Sequence, residues 1–327
     1  VLRHYLEFER PLMELEREYE ELRRFASPAD PKVASRLKKL EAKIIKLRRE
    51  IFSRLTPWQR TQLARHIERP HALDYIGLIL TDFVELHGDR AFRDDPAVVA
   101  GLGKLEGETV VVVGQQKGRD IHELHRRNFG MPHPEGYRKA LRVMELGARF
   151  SKPIITLVDT PGAYPGVGAE ERGQAEAIAR NLREMASMEV PIVAAVIGEG
   201  GSGGALAIAV ADRILMLQYA IFSVISPEGC AAILWRSREK APQAAEALRL
   251  TAEDLKELGV VDEIVPEPLG GAHRDHRGAA MALKEALIRH LEELKRMTPE
   301  ERLEARYEKF RRMGVFLEGT SEDGKEG

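Results

Sequence analysis

IITLVDTPGAYPGVG (Ile154 to Gly168) and IVAAVIGEGGSGGALAIAVA (Ile192 to Ala211) decide how this chain is read. Each opens on a short apolar run, Ile154 to Val158 and Ile192 to Ile197, of the length and composition of a strand buried on both faces. A glycine-rich loop follows each run, and a helical pattern follows each loop: about Glu170 to Met188 after the first, Ala205 to Ala211 after the second. Ile154 and Ile192 lie 38 residues apart, which suits one strand-helix crossover between parallel strands. Further strands are expected at Ile214 to Leu217 and Ile221 to Val224. The class is α/β.

Upstream, Ala97 to Leu105 and Thr109 to Val113 read as a hairpin turning at Glu106-Gly107-Glu108. Thr56-Pro57 reads as a helix N-cap and first helical residue, opening a helix through Trp58, Leu63 and Ile67, and Leu73 to Val84 reads as a second helix. Glu135 to Phe150 has helical spacing. At the N-terminus Phe8, Leu12, Leu15, Tyr19 and Leu22 form one narrow apolar seam and Leu37, Leu40, Ile44, Leu47 and Ile51 another. Ser27-Pro28-Ala29-Asp30-Pro31 breaks helix between them, so an antiparallel helical hairpin is expected, either a subunit-contact arm or packed on its own domain. The tail from Ala279 is helical, restarting at Thr298-Pro299, until the polar Glu318 to Gly327 end. Three parts follow: a hairpin over 1–55, a main domain over 56–295, and a C-terminal helix with its tail over 296–327.

The 327 residues are 43% apolar, 31% charged and 6% aromatic, the composition of a globular protein. A formal net charge of −2 supplies no global basic field, so neither nucleic acid nor an anionic membrane is an expected partner. The lone cysteine, Cys230, excludes an intramolecular disulfide framework and a CxxC site, and fits the cytoplasm. Charged residues from Arg3 onward leave no signal peptide at the start of the sequence. From Val190 to Ala211 only Glu199 is charged, yet the five glycines there argue against a membrane span.

Three chemistries use glycine loops after strands. A phosphate loop needs GxxxxGK[ST], which does not occur. Gly198, Gly200 and Gly203 satisfy GxGxxG, but the helix after them is short and no acidic residue ends the next strand to hold a ribose. The third is an oxyanion hole, in which glycines turn backbone N–H groups toward a carbonyl oxygen that gains negative charge. Four glycines within five residues, Gly200 to Gly204, favour it over glycines that merely permit close packing.

Longer strings are more specific. DTPGAYPGVGAEERGQAEAIARNLREM (Asp159 to Met185), GEGGSGGALAIAVADRILML (Gly198 to Leu217), SVISPEGCAAILW (Ser223 to Trp235) and RRNFGMPHPEGYRKALR (Arg126 to Arg142) resemble the α subunits of bacterial acetyl-CoA carboxylase carboxyltransferases. The likeness runs from FERPLMELE (Phe8 to Glu16) to IVPEPLGGAH (Ile264 to His273). It implies a crotonase-like (ClpP/crotonase) spiral of ββα units, with the N-terminal hairpin and C-terminal helices added. It also implies the first committed step of fatty acid synthesis, in which carboxybiotin on a separate biotin carboxyl carrier protein gives its carboxyl group to acetyl-CoA to form malonyl-CoA. The implied partners are a carboxyltransferase β subunit in an α2β2 heterotetramer, the carrier protein and biotin carboxylase. A zinc ribbon and the acetyl-CoA hole belong to the β subunit, leaving no metal in this chain.

By that resemblance the backbone N–H groups of Gly203 and Gly204 are the principal donors to the biotin ureido oxygen. Gly162 and Ala163 line the opposite wall, Gly200 and Gly201 shape the loop, and Tyr164 packs on biotin or closes its own loop. Lys117, Arg126 and Arg127, in a locally basic stretch, are candidates for CoA phosphates or the carboxybiotin carboxylate, against ordinary surface charge. His122, Glu123 and His125 lack HExxH spacing and read as surface residues, and Cys230 reads as a buried, inert thiol. Two other classes remain open: a stand-alone crotonase-type acyl-CoA hydratase or isomerase using Glu199, Glu170 or Glu171 as acid or base, and a scaffold that recruits through its hairpin.

Overall fold

The computed structural model describes residues 4–25 and 30–314. Two helices, α1 (Arg10–Phe25) and α2 (Pro31–Phe52), come first. They pair as the apolar seams predict, burying Leu12 on one and Leu40 and Ile44 on the other. The breaker between them falls largely on residues 26–29, outside the described residues, as does the polar end from Glu318. Arg274 bonds Glu9 at 2.8 Å and Glu16 at 3.1 Å, tying the N-terminal segment and α1 to the C-terminal half.

Next come α3 (Pro57–Ala64), α4 (Ala72–Ile79), β1 (Thr81–Glu85), β2 (Val98–Leu105), β3 (Glu108–Gln115), α5 (Ile121–Arg126) and α6 (Pro134–Arg149). Thr56 caps α3 reciprocally with Gln59. That helix stops at Ala64, short of Ile67, and the chain after it turns so that Arg65 and Arg69 reach buried carboxylates. The helix expected over Leu73 to Val84 is also shorter. Its last part is β1, recruited by the free edge of β2 (Val84 opposite Leu102). The β2–β3 hairpin turns on Glu106 and Gly107, both at positive φ (49° and 82°), the geometry a two-residue turn requires.

The second half holds β4 (Ile154–Thr160), α7 (Val167–Glu171), α8 (Gln174–Ser187), β5 (Ile192–Gly201), α9 (Ser202–Leu206), β6 (Arg213–Leu217) and β7 (Ile221–Ser223). After these come α10 (Pro227–Trp235), α11 (Ala241–Ala247), α12 (Ala252–Glu257), β8 (Glu263–Val265), α13 (His276–Lys295) and α14 (Pro299–Arg311). The sheet runs β1-β2-β3-β4-β5-β6-β8, with β7 pairing β5 off this path. From β3 onward the named strands pair with one another in parallel, and Ile154 lies opposite Ile192. The β3 segment Val110 to Val113 is buried throughout because helices cover both faces. Gly114 abuts Ala72 of α4, while Val111, three residues away and so on the other face, abuts Gly147 of α6.

Three sequence expectations change near the glycines. Gly198 to Gly201 are not loop but the end of β5, held in extended form by β7 (Glu199 opposite Ile221, Gly201 opposite Ser223). The helix after them begins at Ser202 and ends at Leu206, with Ala207 to Ala209 in turns and no helix on to Ala211. The helix expected over Glu170 to Met188 is split into α7 and α8 at Gly173, whose φ of 81° no helix accommodates. At the C-terminus the buried Arg306 bonds both carboxylate oxygens of Asp212, at 2.8 and 2.9 Å, fastening α14 to the sheet.

Candidate functional site

Both glycine elements lie at the C-terminal ends of parallel strands, where open α/β sheets bind ligands. The register between β4 and β5 shifts there: Val158 pairs with Val196, but Thr160 pairs with Gly200. The extra backbone is satisfied by side chains. Arg69, 1% exposed and paired with Glu267, donates to the Ile197 carbonyl at 2.8 Å, and the Glu199 N–H donates to Asp159 Oδ1 at 3.0 Å. This arrangement carries β5 past the end of β4 before α9 starts.

At that junction Ser202 has a φ of 53° and is exposed. The amides of Ser202, Gly203 and Gly204 form the first turn of α9, where no earlier turn of helix supplies carbonyls for them. Gly204 is buried against the other glycine element: a Cβ there would lie 2.4 Å from the Ala163 nitrogen and 2.5 Å from the Gly162 carbonyl carbon. Gly201 is equally tight, 2.2 Å from the Pro161 oxygen. Gly203 has room, with Ile178 at 3.9 Å. The sequence-chosen glycines therefore meet, Gly162 and Ala163 touching Gly204 directly. The Gly162 N–H is engaged within its own loop, donating to the Thr160 hydroxyl at 3.1 Å. Tyr164 stacks on His133 with ring centroids 4.2 Å apart and ring planes 22° from parallel, and Gly166 sits under its ring.

Around Glu199, which lies between Gly198 and Gly200, runs a chain of paired side chains. Glu228 pairs with Arg65, Arg65 with Glu199 at 2.7 Å, Glu199 with Lys117 at 3.1 Å, Lys117 with Asp159 at 2.8 Å, and Asp159 with His71 at 3.2 Å. Burial alone would push the Asp159 carboxyl up, but the Lys117 ammonium and the His71 ring hold it well below the usual carboxylate range. Glu199 is held down against burial by Lys117 and Arg65, while Lys117 is raised despite burial by Asp159 and Glu199. His71 and Lys117 line a cavity of about 200 Å³ with Arg65 and His66. A larger hollow of about 730 Å³, beside Phe8, Trp58 and Pro242, includes none of the glycines.

Lys117 is thus occupied by two carboxylates. Arg127 is buried, donating to the Pro96 carbonyl at 2.8 Å, and Arg126 is exposed on α5. His122 and His125 are exposed. Among the described residues one group has ligand atoms close enough for a metal ion, Glu9, His66 and His273, all buried and within 4.8 Å. Glu9 there already accepts from Arg274, and both His66 ring nitrogens have backbone partners.

Sequence reasoning passed over Arg65, His71 and Gln115. The side chain of Gln115, fully buried at the end of β3, bonds Gly204 and Asp159. Glu199 was visible as the one charge in an apolar stretch. Its pairing with Lys117 and Arg65 left no signal, the two lying 82 and 134 residues away.

The family described as acetyl co-enzyme A carboxylase carboxyltransferase-like matches residues 5–314. The chain is 63% identical to the acetyl-coenzyme A carboxylase carboxyl transferase subunit alpha of Geobacter metallireducens, over 96% of this chain and 99% of that protein. It is 68% identical to the protein of that name from Geobacter sulfurreducens, over 85% and 87%. In fold it is similar to the crystal structure of transcarboxylase 12S, with a TM-score of 0.53 and 24% identity, covering 67% of this chain and 42% of that one.

Proposed function

The chain belongs to the acetyl-CoA carboxylase carboxyltransferase family, as an alpha subunit with a crotonase-like fold, and from that premise we propose how its residues serve the transfer. The enzyme's chemistry is that of carboxybiotin and acetyl-CoA, and an alpha subunit implies a partner subunit in a multi-subunit enzyme. The reading as a lone hydratase gives way to this one. Glu199, one of the three glutamates that reading would use, is committed to Arg65 and Lys117.

In our reading the Gly203 and Gly204 N–H groups donate to the ureido oxygen of biotin, and Gly162 and Ala163 form the facing wall. Carboxybiotin supplies the activated carboxyl group. One preorganised donor stabilises a transition state by ~2.7–4 kcal/mol, so amides alone make a large contribution and no side-chain nucleophile is needed. The observation that carries the assignment is the seat of Gly204: any side chain would strike Gly162 and Ala163, so the first-turn amides keep their aim only with glycine there. Tyr164, already stacked on His133, closes its loop beside this wall. Arg126, exposed on α5, remains a candidate for a phosphate or carboxylate, whereas Lys117 is paired with two carboxylates inside the protein and Arg127 is buried against the Pro96 carbonyl.

We further propose a β subunit in an α2β2 assembly, a separate biotin carrier protein and biotin carboxylase as partners, and the cytoplasm as the compartment, supported by the single buried Cys230. No described helix is long and apolar enough to cross a membrane. Residues 1–55, 56–295 and 296–327 serve as the working parts of the chain, the last fastened through Arg306. The test is to co-express the chain with a candidate β subunit and assay biocytin-dependent decarboxylation of malonyl-CoA. Activity should require both chains. Hydration of crotonyl-CoA by this chain alone would overturn the proposal.

A further inference from the structure

We propose that Gln115 is a positioning residue that sets the spacing of the two glycine elements and thereby the aim of the Gly203 and Gly204 amides. This rests on the oxyanion assignment above. Gln115 ends β3, the strand beside β4, and is fully buried. Its Nε2 donates to the Gly204 carbonyl at 2.7 Å, and its Oε1 accepts the Asp159 N–H at 3.2 Å. One side chain therefore grips both β4, just before its glycine loop, and the first turn of α9.

The grip matters because α9 does not hold itself. It has five residues, and the Ile208 N–H that would serve the Gly204 carbonyl in a continuing helix bonds Ala205 instead, at 3.2 Å. The Gly203 carbonyl is held by Ala207 at 3.0 Å, which fixes the peptide plane carrying the Gly204 N–H. The next plane is held by Gln115. Glycine has no Cβ to restrict its rotation, so these two bonds define the turn. A carboxamide, or a protonated carboxyl of the same shape, both donates and accepts here. An ionised carboxylate would present lone pairs to the Gly204 carbonyl.

The test uses the assembled complex with its partner subunit and the biocytin-dependent decarboxylation of malonyl-CoA, with Gln115→Glu and Gln115→Met, both close in volume to the original. At about pH 8 both variants should lose about tenfold or more in kcat while the KM for malonyl-CoA changes by less than about twofold. As pH falls toward about 6 the buried carboxyl introduced by Gln115→Glu should take a proton and regain kcat relative to wild type, and Gln115→Met should not. Wild-type kcat in both variants, or equal losses without recovery at low pH, would overturn the proposal. Gly204→Ala separates the two layers. If it is inactive while Gln115→Met is normal, only the positioning role falls; if Gly204→Ala is normal, the amide assignment falls with it.

Discussion

Asp159, next to last in β4, accepts the backbone N–H of Glu199 in β5 at 3.0 Å, across the point where the two strands change register. The ladder cannot serve that amide, so a carboxylate does. A buried carboxylate needs a cation, and Lys117 supplies it to Asp159 and Glu199 together. The ion pairs thus serve the geometry that delivers the glycines to the strand end.

Lys117→Met should therefore act on stability. It leaves two buried carboxylates short of an ammonium, a loss of about 3–5 kcal/mol by analogy with other broken buried pairs. Urea unfolding of the purified chain measures it. An unchanged midpoint with weakened substrate binding would instead return Lys117 to the substrate.

His66 gives a dependence on pH. Burial, and then the neighbouring His273 ring, hold it down at about 4, against 6.5 for a free imidazole. Between those values the unfolded chain takes up a proton that the folded chain refuses. Stability from this group is thus complete above about 6.5 and declines as pH falls toward 4. Asp95, raised to about 6 by burial, works in the opposite sense, its contribution fading as pH rises through that value. The difference between wild type and His66→Gln isolates the histidine: the gap between their unfolding midpoints should change steadily from about pH 7 to 4, and a constant gap would refute the assignment.

Gly203 and Gly204 should respond differently to a methyl group. At Gly203 the added carbon meets only Ile178 at 3.9 Å, an ordinary contact, so Gly203→Ala should keep its rate within a few fold of wild type. At Gly204 it would lie 2.4 Å from the Ala163 nitrogen, so Gly204→Ala should lose about a hundredfold or more in kcat. Equal rates for the two variants in the assembled enzyme would contradict this seat.

Arg306→Met should loosen α14. Arg306 satisfies Asp212 and the carbonyls of Met185 and Met188, at 2.7 and 2.8 Å, and all are left without it. The expected loss is about 3–5 kcal/mol in thermal or urea unfolding. A change under about 0.5 kcal/mol would show that the helix is held by apolar packing alone.

Much of this was legible in the sequence. Ile154 and Ile192 were set 38 residues apart by one crossover and proved to be direct partners. Thr56 and Thr298 announced helix starts because capping is local. What was misread depended on distant neighbours. Gly198 to Gly201 remain strand because β7 pairs with them, and Thr81 to Glu85 are strand because β2 offers an edge. The glycines proposed for the site stand out by their own pattern, whereas Gln115, Arg65 and His71 have no local pattern to betray them. Their roles exist only where strands far apart in sequence meet.

Under the proposed function, backbone N–H groups rather than side chains hold the negative charge during transfer. The most direct measurement replaces Gly204 by glycolic acid, turning the Gly203–Gly204 peptide into an ester that lacks the N–H and adds no bulk. In the complex with its partner subunit, kcat for biocytin-dependent malonyl-CoA decarboxylation should fall by about 10²–10³. An ester-containing enzyme that turns over at the wild-type rate would contradict it.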